Sequence, residues 1–170
     1  MAKRSKEYKV TLAGPVYGAL VKWFRHGWPA ERYAFLAGAV TERHVYEVTH
    51  VYHPSEQEEW NTNGAFSFTA ELQVAAARWA IRDGAQLLGI AHSHPYRRAN
   101  SYGVMHSLRD AQMQAENHFT LSIVCALFGK DKLAMACWLN GFNAALDILV
   151  RPDGARAARP LPLEVDLSDN

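Results

Sequence analysis

The residues with the clearest capacity for chemistry lie in Gly89-Ile-Ala-His92-Ser-His94-Pro95. An apolar run ends there in two histidines two positions apart. On an extended chain, side chains at i and i+2 leave the same side, so both imidazoles can reach one metal ion. Pro95 stops the strand. A bare His-x-His more often holds one core histidine and one exposed one. Downstream, Ser107-Leu-Arg-Asp110 reads most simply as a capping box that opens a helix. Its second reading makes Asp110 a third ligand. Two imidazoles and a carboxylate leave one tetrahedral position open to water, the pattern of a catalytic zinc site. Ser107, three residues away on the same helix, faces the same site and can donate to a reacting oxygen. Glu31, just before the apolar Tyr33–Gly38 run, is the candidate general base; its plainer reading is a solvated carboxylate at a strand start.

Positioning these groups requires a set of elements. The pattern predicts a strand over 9–13 and a helix over 15–26, with Pro15 in its first turn and Gly27 beyond its end. Strands follow at 33–40 and 45–52. Thr69 caps a helix that runs to Asp83, with Leu72, Ala75, Ala76 and Trp79 on its buried face. The apolar Leu87–Ala91 run reads as a strand covered on both faces. A helix over 108–117 and strands over 119–128, 133–139 and 145–150 complete the set. Such alternation implies a mixed sheet flanked by helices.

The chain has 170 residues, 49% of them hydrophobic and 21% charged, which suits one globular domain. Eighteen basic against seventeen acidic residues give a net charge of +1, without the basic excess of a nucleic-acid binder. Cys125 and Cys137 are too few for a disulfide framework and lack a C-x-x-C spacing. The Met1–Lys9 stretch has no apolar segment behind it, and the longest apolar run, Leu133–Leu139, is far too short for a membrane span. A cytoplasmic protein with no membrane partner is therefore expected. Residues 151–170 shift in composition to a linker-like tail, in which Leu161–Leu167 alternates enough to dock as an edge strand.

A glutamate opening an apolar strand that ends in glycine, an apolar strand running into G-x-x-H-S-H-P, and S-x-x-D opening the next helix occur here in that order. Together they resemble the JAMM (MPN-plus) zinc metallopeptidases, including the prokaryotic-type isopeptidases that act on ubiquitin-like proteins. The likeness spans a domain over 7–150. It implies a curved mixed β-sheet flanked by helices, as in cytidine deaminases. It also implies one Zn2+ per chain and hydrolysis after the C-terminus of a ubiquitin-like protein, in conjugates or in a precursor. By motif position, His92, His94 and Asp110 bind zinc, Glu31 is the general base and then the acid, and Ser107 steadies the oxyanion.

Two departures stand out. The family usually places ten residues between the second histidine and the aspartate, whereas fifteen separate His94 from Asp110. Counting ten lands on Met105, which is no ligand of this type. Either the Tyr96–His106 loop carries an insertion or the third ligand differs, with His106 and His118 as rivals; Asp110 is preferred because Ser107 keeps its offset from it. His106 also stands where the family often has proline. Other hydrolytic signatures are missing: no P-C-x-x-C deaminase pair, no H-E-x-x-H, no G-x-S-x-G. The remaining alternatives are a non-catalytic MPN-like interaction module and the same chemistry on a sulfur-carrier protein or small peptide. The Trp60 loop and the Tyr96–His106 loop, with Arg97 and Arg98, are candidates to grip a partner. Oligomeric state is not legible.

Overall fold

The computed structural model describes residues 8–28, 30–54, 60–62, 65–94, 104–128, 132–141, 145–146, 148–151 and 161–162. Strand β1 (Lys9–Ala13) leads into helix α1 (Gly14–Gly27) with Pro15 in its first turn, where a missing N–H costs nothing. Strands β2 (Tyr33–Glu42) and β3 (Val45–His53) form a hairpin. It turns at Arg43-His44, so β2 runs two residues past its expected end at 40, and His44 adopts the left-handed conformation (φ 74°) found in tight turns. A short pair, β4 (Trp60–Thr62) and β5 (Ala65–Ser67), precedes α2 (Ala70–Arg82). Then follow β6 (Gln86–His94), α3 (Leu108–Glu116), β7 (Leu121–Phe128) and β8 (Lys132–Leu139).

The expected strand over 145–150 is two strands. Residues Ala145–Leu146 (β9) pair with β8, while Ile148–Arg151 (β10) pair with β1. The main sheet runs β10-β1-β3-β2-β6-β7-β8-β9. Its first and last strands are thus separated by a single residue of chain. The sheet must curl until its two margins nearly meet, which leaves little open edge. Residues Leu161–Pro162 (β11) pair in parallel with β3 at Tyr52–His53, alongside an interior strand and on the side of β3 that β1 also occupies. The rest of the expected tail strand, 163–167, lies outside the described residues.

Curling creates two faces with different roles. On the inner face α1 buries Val16, Leu20, Val21, Trp23 and Phe24 against Leu12, Leu36, Val48, Ile123 and Leu139 of five strands. Full burial of such side chains is worth about 1.5–3 kcal/mol each before chain entropy is counted. The free cysteines Cys125 and Cys137 belong to this apolar core, and burial raises both thiol pKa values, so neither is a reactive thiolate. On the outer face α2 packs Leu72, Ala76 and Ala80 over Tyr33, Phe35, Tyr52 and Ile90.

One irregularity decides which face receives the two histidines. Along β2–β6 the register steps from Leu36↔Gly89 to Ala37↔Leu87, so Leu88 is an extra residue. Such a bulge reverses the alternation beyond it. Leu88 packs inside, yet Ile90 packs outside, and His92 and His94 follow Ile90 onto the outer face. Gly89 makes room at this point: a Cβ there would lie 1.9 Å from the Leu121 carbonyl oxygen of the neighbouring strand.

Candidate metal centre

Strand β6 continues through both histidines because the ladder does: His92 pairs with Val124 and His94 with Ala126 of β7. The parallel β6 and β7 are joined through α3, and in such a unit the helix begins near the carboxyl end of the first strand. Ser107 caps α3 in a reciprocal capping box: the Asp110 N–H donates to Ser107 Oγ (3.1 Å) and the Ser107 N–H donates to Asp110 Oδ2 (2.8 Å).

The same carboxylate faces both imidazoles. Asp110 Oδ1 lies 3.2 Å from His92 Nε2, Asp110 Oδ2 lies 3.6 Å from His94 Nε2, and the two Nε2 atoms are 3.2 Å apart. All three side chains are buried. One ligand atom from each converges within 4.8 Å, and the three residues could hold a metal ion. The donor set fits a zinc-like cation: two ring nitrogens and an ionised oxygen aimed at one small volume. Burial alone would raise the Asp110 pKa, but hydrogen bonding to His92, His94 and Ser107 outweighs it and holds the group well below the usual carboxylate range.

Glu31 sits just before β2. Continuing the Tyr33↔His92 register by two residues sets Glu31 opposite His94, and the Ser93 N–H donating to the Arg32 carbonyl (2.9 Å) carries the pairing that far. Burial raises the Glu31 pKa, opposed by the nearby His92 and His94 and aided by Asp110. A carboxylate raised in this way is a stronger proton acceptor than a fully solvated one.

Among the described residues, neither His106 nor His118 belongs to the converging group. His106 Nε2 is 3.1 Å from Ser122 Oγ, and its ring stacks on Trp138 at 5.2 Å with planes 10° apart. His118 is exposed just past the end of α3, with φ 56°. Ser107 is exposed at the lip of the site. Trp60 opens β4, whereas Arg97 and Arg98 lie outside the described residues.

Sequence reasoning passed over Ser93, whose hydroxyl accepts from the Arg32 N–H at 3.0 Å, and the pair of Arg32 and Trp23 behind it. No local spacing signals a contact between residues 61 apart. Among the described residues no helix is long and apolar enough to cross a membrane.

The family model for prokaryotic homologs of the JAB domain matches residues 14–139, which include Glu31, both histidines, Ser107 and Asp110. No curated protein matches the chain. Among solved structures, a protein of Desulfitobacterium hafniense determined in solution is similar in fold, with a TM-score of 0.64 at 19% identity over 84% of this chain and 93% of its own. A JAB1/MPN domain protein from Archaeoglobus fulgidus aligns over 86% of this chain and 99% of its own, at 13% identity and a TM-score of 0.48. With a mixed curved sheet flanked by helices, and a family match across most of its length, this chain belongs to the prokaryotic JAB-domain family.

Proposed function

We propose that this chain is a zinc-dependent peptidase that hydrolyses the bond following the C-terminus of a ubiquitin-like protein, in a conjugate or a precursor. The observation that carries this reading is the convergence of His92, His94 and Asp110 on one point, with Glu31 across the strand pair from His94. Zinc held by those three residues would supply Lewis acidity toward a carbonyl and bring the pKa of a water down to near ~7. Glu31 takes the proton of the attacking water and returns it to the departing amine. Ser107 accepts from the Asp110 N–H through its oxygen, which leaves its own O–H to donate to the developing oxyanion. Asp110, ionised throughout, contributes negative charge and is oriented by the capping box.

Metal analysis of the purified protein, followed by incubation with a ubiquitin-like fusion from the same genome, tests the proposal. One zinc per chain and a cut after the last residue of the ubiquitin-like tail, located by mass spectrometry, are expected. Stoichiometric zinc with no cleavage of several such fusions would replace this reading with a non-catalytic interaction module. Cleavage confined to a sulfur-carrier protein or a short peptide would change the substrate and keep the chemistry.

A further inference from the structure

Glu31 does its proposed work only if its carboxyl is held beside the histidines, and it lies outside regular structure between α1 and β2. Its two neighbours are anchored. On one side the Ala30 N–H donates to the Gly27 carbonyl (2.9 Å) at the end of α1. On the other, Arg32 is gripped twice by Ser93: its N–H donates to Ser93 Oγ (3.0 Å), and its carbonyl accepts from the Ser93 N–H (2.9 Å). The Arg32 side chain lies with its guanidinium carbon 4.1 Å from the centre of the Trp23 ring, and one nitrogen donates to the Trp23 carbonyl at 3.5 Å. Trp23 in turn donates its ring N–H to the Tyr33 carbonyl (2.9 Å) and stacks on His53 at 4.0 Å. Helix α1, β2 and the middle residue of His92-Ser93-His94 thus meet at Arg32.

We propose that Ser93, with Arg32 and Trp23, is the positioning device for Glu31: a hydroxyl set between the two histidines ties the strand that bears them to the residue that follows the base. This inference rests on the reading of Glu31 as the general base. Alternation gives it a physical basis. His92, His94 and Glu31 share the outer face, so Ser93 and Arg32 point inward, away from the site, and can clamp it without entering it. A backbone has only two soft dihedrals per residue, so holding residues 30 and 32 leaves Glu31 little freedom except in its side chain. Gly27 belongs to the same device. A Cβ there would lie 2.0 Å from Arg32 Cδ and Nε, so Gly27→Ala forces a shift against the Arg32 side chain.

The test uses the full zinc-loaded chain and three readouts: zinc content, hydrogen exchange at the Arg32 amide, and kcat and KM on a cleavable ubiquitin-like fusion. Ser93→Ala is expected to keep one zinc and to speed exchange at Arg32. It should lower kcat about ten- to a hundredfold with KM within about twofold, the signature of a misplaced group rather than lost binding. Ser93→Thr, which keeps the hydroxyl, should restore exchange and kcat together. Gly27→Ala should lower kcat by a smaller factor with zinc retained. Unchanged exchange at Arg32 in Ser93→Ala, or unchanged kcat where Glu31→Gln is impaired, overturns the clamp. Loss of zinc in Ser93→Ala also overturns it, because the hydroxyl then supports the ligand strand and not Glu31. Full activity of Glu31→Gln removes the base assignment and the kinetic half of the inference with it, while exchange at Arg32 still decides whether the clamp exists.

Discussion

Helices α2 and α3 begin on the same pattern. Each has a ring before the cap, a hydroxyl at the cap and a buried residue three positions on: Phe68, Thr69 and Leu72 in α2; His106, Ser107 and Asp110 in α3. In both, the hydroxyl oxygen accepts from the backbone N–H of that third residue, at 3.3 Å in α2 and 3.1 Å in α3. What the side chains meet differs. Phe68 packs among the rings of Tyr33, Phe35 and Phe119, and Leu72 joins the same apolar group. His106 bonds Ser122 and stacks on Trp138, while Asp110 faces His92 and His94. A cap is a local device that serves a purely structural helix and a metal-type site equally well. The surroundings of the third residue decide which it becomes.

The largest break in that comparison should come from Asp110→Ala. We expect zinc to fall from one per chain to almost none. Activity should drop beyond the roughly 10- to 100-fold that loss of even an outer-shell partner of a metal costs. If Asp110→Ala keeps zinc and His106→Ala loses it, the two histidines use a different third ligand. Glu31→Gln comes next. Zinc content should stay and turnover should fall by about 10²- to 10⁴-fold, the usual range for a general base; titrating zinc beside the kinetics separates base from ligand.

Paired cap variants then test the comparison directly. Thr69→Ala and Ser107→Ala should each lower stability by about 1 kcal/mol in denaturant melts. Only Ser107→Ala should also lower kcat, by about a hundredfold or more if its hydroxyl serves the oxyanion. Equal kinetics in the two variants would reduce Ser107 to a cap.

The smallest effect is on stability against pH. Burial pulls the His106 pKa down to about 4, and burial also lowers that of His53. With both held below the ordinary value of 6.5, each of these histidines binds more protons in the unfolded chain than in the folded one once the pH drops under that value. Among the described residues they are opposed by Glu31 alone, whose raised pKa favours proton binding in the folded chain. Stability should therefore decline as pH is lowered from about 6.5 toward 4, and His106→Gln should flatten part of that slope in thermal melts. No equivalent slope comes from α2, where Phe68 holds the position of His106.

Much of both regions was legible in the sequence because it depends on neighbours a few residues apart. The Thr69 and Ser107 caps, the shared side of His92 and His94, and most strand and helix positions follow from the periods of 2 and 3.6. The mixed sheet flanked by helices followed from the alternation of elements, and its curvature only from the family resemblance. Ends were less legible: β6 runs on to His94 because β7 pairs with it that far, and 145–150 divides between two sheet margins because the sheet curls.

Sequence by itself determined which side chains are chemically equipped and which near neighbours point together, since covalent geometry sets those spacings. Tertiary structure decided the rest. The bulge at Leu88 chose the outer face for the histidines, and the β6–α3–β7 crossover brought Asp110 to them while His106 turned to Ser122. The antiparallel register of β2 on β6 put Glu31 opposite His94, with Ser93 bonded to Arg32 across 61 residues. Those placements depend on which strands pair and in what register. Burial of the whole chain's apolar faces selects that register, and no local run of residues encodes it.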